Sequence, residues 1–62
     1  MNIFEDLAKE YPYTIEQVTT VVEMCKYNMV LAKEVLDTAA RLGHTTPTYM
    51  AVYMVETNAH NS

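Results

Sequence analysis

Asn28-Met29-Val30-Leu31-Ala32-Lys33-Glu34-Val35-Leu36 decides how this chain folds. An Asn can open a helix by accepting a hydrogen bond from an amide of the first turn. A small Ala four residues on, and a Leu four beyond it, then give that helix one closely packed seam. Val35, Ala39 and Leu42 extend the buried stripe. Arg41 suits the negative end of the helix dipole, and Gly43 can take the left-handed conformation that closes a helix.

Two helices are expected upstream. Asn2-x-x-Glu5 fits a capping box, and Ile3, Phe4, Leu7, Ala8 and Tyr11 follow at helical spacing. Pro12 restricts Tyr11 and ends this helix. Thr14-x-x-Gln17 is a second capping box, with Ile15, Val18, Val21, Val22 and Cys25 on one face. The run Val18-Thr19-Thr20-Val21-Val22 is β-branched and suits a strand by propensity. Its cap and its 3,4 spacing favour a helix. Downstream, Thr46-Pro47 repeats a start signal, with Thr as cap and Pro in the first turn. Tyr49-Met50-Ala51-Val52-Tyr53-Met54-Val55 would also suit a buried strand, but no second strand offers to pair with it. The expected architecture is all-α, with helices at about 3–11, 15–26, 29–42 and 47–57 and a frayed tail at 58–62.

The chain has 62 residues, enough for one domain. Half of them are apolar, which supports a core and argues against disorder. The one Cys, Cys25, can form no internal disulfide, and no N-terminal run reads as a signal peptide. The expected location is the cytoplasm. No apolar stretch is long enough to span a membrane. A formal charge of −4, with four Lys and Arg in all, gives counterion release little to work with, so direct nucleic-acid binding is not expected.

Leu7-x-x-x-Tyr11-Pro12 resembles the Leu and Phe-Pro pattern of the CUE domain, a relative of the ubiquitin-associated (UBA) domain. Asn28-x-x-x-Ala32-x-x-x-Leu36 resembles the same group's Asn-Val-x-x-Ala-x-x-x-Leu. Val18 and Val21-Val22 fall where the family places core residues of its second helix. The likeness covers about half the chain, from about Leu7 to Leu36. It implies a three-helix UBA-like bundle, here with a fourth C-terminal helix, and a contact surface built from the first turn and the end of the third helix. The departures are chemical. Tyr27 stands where the family often has Gly, and the second turn is one residue shorter than in a CUE domain. The ubiquitin-contacting Met-Phe-Pro becomes Glu10-Tyr11-Pro12, and the closing Leu-Leu becomes Leu36-Asp37. An apolar partner would have to bury Glu10 and Asp37 without counter-charges, at a cost of several kcal/mol. The scaffold is also found in bacterial elongation factor Ts and in nascent-chain factors, so it does not by itself fix a function.

No catalytic, cofactor or metal site is expected. His44, His60 and Cys25 share no ligand spacing, Cys25 reads as a core residue, and no Gly-rich phosphate loop is present. The expected contact residues are Tyr11, Pro12, Tyr13, Leu36, Asp37, Tyr49, Met50, Tyr53 and Met54. Tyr11, Pro12 and Tyr13 form an aromatic turn that either covers the end of the bundle or anchors a partner. Tyr49, Val52, Tyr53 and Glu56 lie along one stripe of the fourth helix, and Met50, Ala51, Met54 and Val55 cover its other sides. Such a helix either wedges into a groove or leaves a contact face exposed. Met24 and Met29, beside the second turn, can extend either role. The acidic residues Glu5, Asp6 and Glu10 read as a solvated helix face or as a mimic of nucleic-acid phosphates.

The expected function is that of a small non-catalytic interaction module, a stoichiometric regulator or inhibitor of a larger protein. Its size and acidity fit one encoded by a phage or other mobile element. The alternatives are an acidic nucleic-acid mimic, a UBA/CUE-type domain binding a ubiquitin-like protein, and a homodimer paired through the C-terminal helix.

Overall fold

The computed structural model describes residues 2–61, with the side chains of residues 2–58. Four helices follow in order, α1 (Ile3–Glu10), α2 (Ile15–Met24), α3 (Met29–Arg41) and α4 (Thr48–Asn61), and there is no strand among the described residues. The valine-rich middle and the tyrosine–methionine segment are both helical. α4 continues past its expected end near position 57, to Asn61. The expected fraying of Ser62 lies outside the described residues.

The caps explain where the helices start. Asn2 accepts from the Phe4 amide through Oδ1 at 2.9 Å, but the Glu5 half of the expected box does not form. The Thr14 box is complete, with the Gln17 amide donating to Thr14 Oγ1 at 3.1 Å and the Thr14 amide to Gln17 Oε1 at 3.0 Å. Asn28 Oδ1 accepts from the Leu31 amide at 3.1 Å. α4 opens differently. Its first backbone bond runs from the Ala51 amide to the Pro47 carbonyl at 3.1 Å, so Pro47 precedes the helix rather than lying in its first turn.

α2 and α3 both close with a Schellman motif. After α2, the Lys26 amide donates to the Glu23 carbonyl and the Tyr27 amide to the Val22 carbonyl, each at 3.0 Å. After α3, the Gly43 amide donates to the Ala40 carbonyl at 3.1 Å and the His44 amide to the Ala39 carbonyl at 2.9 Å. Gly43 has a φ of +79°, where glycine is unstrained. Lys26 and Tyr27 adopt φ values of +54° and +62°, where a Cβ is crowded by the backbone.

α2 is the central element. Val18, Val21 and Val22 have no exposed surface, and α2 alone packs against each of the other three helices. α1 lies on α2, whereas α3 and α4 contact both α2 and each other. α4 runs antiparallel to α3. Near its start Tyr49 lies by Leu42, and near its end Met54 and Asn58 lie by Leu31. The core combines Leu7, Tyr13, Cys25, Ala32, Val35, Leu36, Ala39 and Ala51 with the three valines. Leu42, expected to complete the α3 stripe, is instead 63% exposed. The Cα radius of gyration is 10.7 Å, close to that of a compact chain of this length. No described helix is long and apolar enough to cross a membrane.

The two helix ends predict opposite responses to glycine. Lys26→Gly relieves the left-handed strain and should stabilise the fold by about 0.5–1 kcal/mol. Gly43→Ala should cost about 1 kcal/mol from its φ alone, since an added Cβ meets nothing within 4 Å. Urea denaturation of the two variants measures both shifts.

Candidate protein-contact surface

The aromatic turn between α1 and α2 divides its residues between core and solvent. Tyr13 is 6% exposed, and its hydroxyl donates to the His44 carbonyl at 2.8 Å. That bond ties the α1–α2 turn to the α3–α4 turn. Gln17 adds a second tie through Nε2, which donates to the Thr45 carbonyl at 3.3 Å. The sequence placed Tyr13 at the contact surface; its burial makes it a structural residue. The same correction applies to Leu36, which is wholly buried because it lies on the core-facing side of α3 with Ala32, Val35 and Ala39.

Tyr11 is half-buried against the core and lies near Asp37 of α3, and Pro12 is exposed. Burial raises the Tyr11 pKa above its ordinary value, and the negative charges of Asp37 and Glu10 raise it further. Asp37 is exposed and pairs with Arg41 across one helical turn, Oδ2 to Nε at 3.3 Å. A pair this exposed contributes at most a few tenths of a kcal/mol. The surface formed by the first turn and α3 is therefore small and framed by carboxylates.

The larger apolar surface is on α4. Ala51, with no exposed surface, marks the buried side of this helix. Met50, Met54 and Val55 are partly buried against the core. The opposite side carries Tyr49 at 76% exposure, Val52 at 46% and Tyr53 at 66%, with Glu56 continuing the stripe. Positions i, i+3, i+4 and i+7 share one side of a helix, so these residues form a band two turns long. Of the four α4 residues expected to make contacts, Tyr49 and Tyr53 are well exposed, whereas Met50 and Met54 mainly hold the helix in place.

Leu42 belongs to this face. It closes α3 and lines a shallow depression with Gly43, His44 and Tyr49. The apolar spacing of α3 points Leu42 inward, but Gly43 turns the chain there and the side chain remains outside. At the other end of α4, Tyr53, Met54 and Thr57 share a depression with Leu31 and Glu34 of α3. Both depressions are open and lie on the surface. Tyr27 and Val30, beside the second turn, form a separate exposed apolar pair that their sequence positions do not reveal.

Cys25 is buried, and burial raises its thiol pKa above the ordinary value, which disfavours the reactive thiolate. No three His, Cys, Asp or Glu side chains gather to hold a metal ion among the described residues. The His60 side chain lies outside them. No family model, curated protein or solved structure matches this chain.

Burial also raises the Tyr13 pKa, so Tyr11, Tyr13 and Cys25 all hold their protons more tightly in the folded state. An acid whose folded pKa is raised stabilises the fold below its unfolded pKa, and that contribution is lost as pH rises through the folded value. Stability should therefore hold near neutral pH and fall from about pH 9 upward, the range of the unfolded thiol and phenol pKa values. Tyr13→Phe should cost about 1 kcal/mol at pH 7, from the lost bond to His44, and should make the alkaline decline shallower. Thermal unfolding followed by circular dichroism from pH 6 to about pH 11 measures both effects.

Proposed function

We propose that this chain is a non-catalytic protein-interaction module that acts stoichiometrically, as a regulator or inhibitor, by covering a surface of a larger protein. The exposed band of Tyr49, Val52 and Tyr53 carries this reading. Two Tyr rings side by side on a rigid helix offer large contact area at little entropic cost, and Tyr is enriched at binding hot spots. Leu42 widens the band, while Glu34 and Glu56 give it a polar rim.

The UBA-like scaffold is part of the proposal. Its support is the Asn28 cap, the buried Ala32 and Leu36 seam, and the approach of Tyr11 to Asp37 of α3. Binding of a ubiquitin-like protein through that turn has less support, because Glu10 and Asp37 are exposed carboxylates where the family presents apolar anchors. The phosphate-mimic reading is weaker again, since Glu5, Asp6 and Glu10 share a two-turn helix with Lys9. A small acidic binder of this kind fits a cytoplasmic protein encoded by a phage or other mobile element.

Capture of partners from native lysate tests the reading. Tyr49 and Tyr53 are exposed, so Tyr49→Ala/Tyr53→Ala should keep the helical spectrum unchanged. Loss of two hot-spot rings should weaken partner binding by about tenfold or more. A folded double variant that retains every partner at full strength would remove α4 as the contact face.

A further inference from the structure

The outward side of α4 has a charge pattern along its length as well as apolar area. Glu56 lies at the C-terminal end of the band, and Glu34 of α3 adjoins Tyr53 and Thr57 at that same end. At the other end are Tyr49, Leu42 and His44, with Arg41 immediately before Leu42. Glu34 and Arg41 are seven residues apart, two turns along one edge of α3. One edge thus carries an acid at one end and, at the other, a base that also pairs with Asp37 one turn before it, beside an apolar strip.

We infer that this face pairs with the same face of a second copy, with the two α4 helices antiparallel about a two-fold axis near Val52. The inference rests on reading the α4 face as a contact surface, and it adds a second copy as an occupant that competes with the larger protein for that face. A two-fold axis perpendicular to α4 stacks each α3 edge over its counterpart in reverse. Glu34 then stands opposite the second copy's Arg41, and Glu56 stands over the Tyr49 and His44 end. The midpoints of Glu34–Arg41 and of Tyr49–Glu56 lie at nearly the same level, because α3 and α4 are antiparallel neighbours. One axis therefore satisfies both helices. A two-fold axis parallel to α4 would instead carry the two α3 edges to opposite sides of the α4 pair, leaving Glu34 and Arg41 without counterparts and bringing Glu56 level with Glu56, which like-charge repulsion disfavours. An isologous interface needs this kind of self-complementarity.

The area is sufficient for a modest dimer. Scaled by their exposure, Tyr49, Tyr53, Val52 and Leu42 offer roughly 450 Å² per copy, and their polar rim takes the total for two copies to about 1,000–1,200 Å². That is the lower end of specific interfaces, so the dimer should have a dissociation constant in the range of about 10–100 µM. The charge of −4 on each copy opposes association, but at about 0.15 M salt it is screened beyond roughly 8 Å.

Sedimentation equilibrium up to about 1 mM protein, at about 0.15 M salt, tests the pairing with a charge swap. Glu34→Arg sets two cations against each other at each end of the interface, and Arg41→Glu sets two carboxylates there instead. Either single variant should weaken the dimer at least tenfold. Glu34→Arg/Arg41→Glu restores both opposite-charge pairs and should bring affinity back to within about threefold of the parent. Both positions are exposed, and circular dichroism confirms that each variant is folded. A monomer at about 1 mM, or a double variant as weak as the single ones, overturns the pairing. That failure would leave the α4 contact face standing, since the face itself falls only if Tyr49→Ala/Tyr53→Ala retains every captured partner.

Discussion

The structure depends on how much of α2 can be covered by so short a chain. Val18, Val21 and Val22 are wholly buried, and three helices share the task of covering them. A 62-residue domain buries only about 60% of its unfolded surface, so its stability margin is small and each covered methyl group counts. Small residues make the arrangement compact. Ala32 and Ala39 on α3 and Ala51 on α4 are fully buried, and a methyl side chain lets helix backbones approach closely. A larger residue at Ala51 would push α4 away from the core or force strain into it.

This constraint also sets the functional surface. A helix docked through Ala51, with Met50, Met54 and Val55 flanking it, must present Tyr49, Val52, Tyr53 and Glu56 on its other side. Nothing in the α2–α3 core needs those rings. The polar ties between turns reinforce this placement. Tyr13 and Gln17 hold the carbonyls of His44 and Thr45, fixing the turn from which α4 starts. The first turn, whose Tyr13 faces inward, thus helps to position α4 while leaving only Tyr11 and Pro12 near the surface.

The backbone signals were legible in the residues. Asn2, Thr14 and Asn28 each accept a first-turn amide, and Gly43 closes α3 in the left-handed conformation. The 3,4 spacing identified α2 as a helix despite its β-branched run, because a cap and a one-sided apolar face outweigh propensity. The face of α4 was not legible. Its residues are apolar around most of the circumference, so periodicity could not choose a side; the smallest of them, Ala51, meets the core. Tyr13 and Leu42 were obscured for a related reason. Their positions depend on the path of a turn, and the hydrogen bond from Tyr13 to His44 links residues 31 apart in sequence. The left-handed pair Lys26 and Tyr27 was equally hidden, since neither residue type favours that conformation.

The central claim is that α4 docks through Ala51 and leaves its two tyrosines outside. Nuclear magnetic resonance of dilute protein in the presence of a soluble paramagnetic probe tests it most directly. The account predicts strong broadening of the Tyr49 and Tyr53 ring protons and little effect on the Ala51 methyl, which should show cross-peaks to methyl groups of α2 or α3. Protected tyrosine rings together with a strongly broadened Ala51 methyl would mean that α4 packs by its other side, and would contradict it.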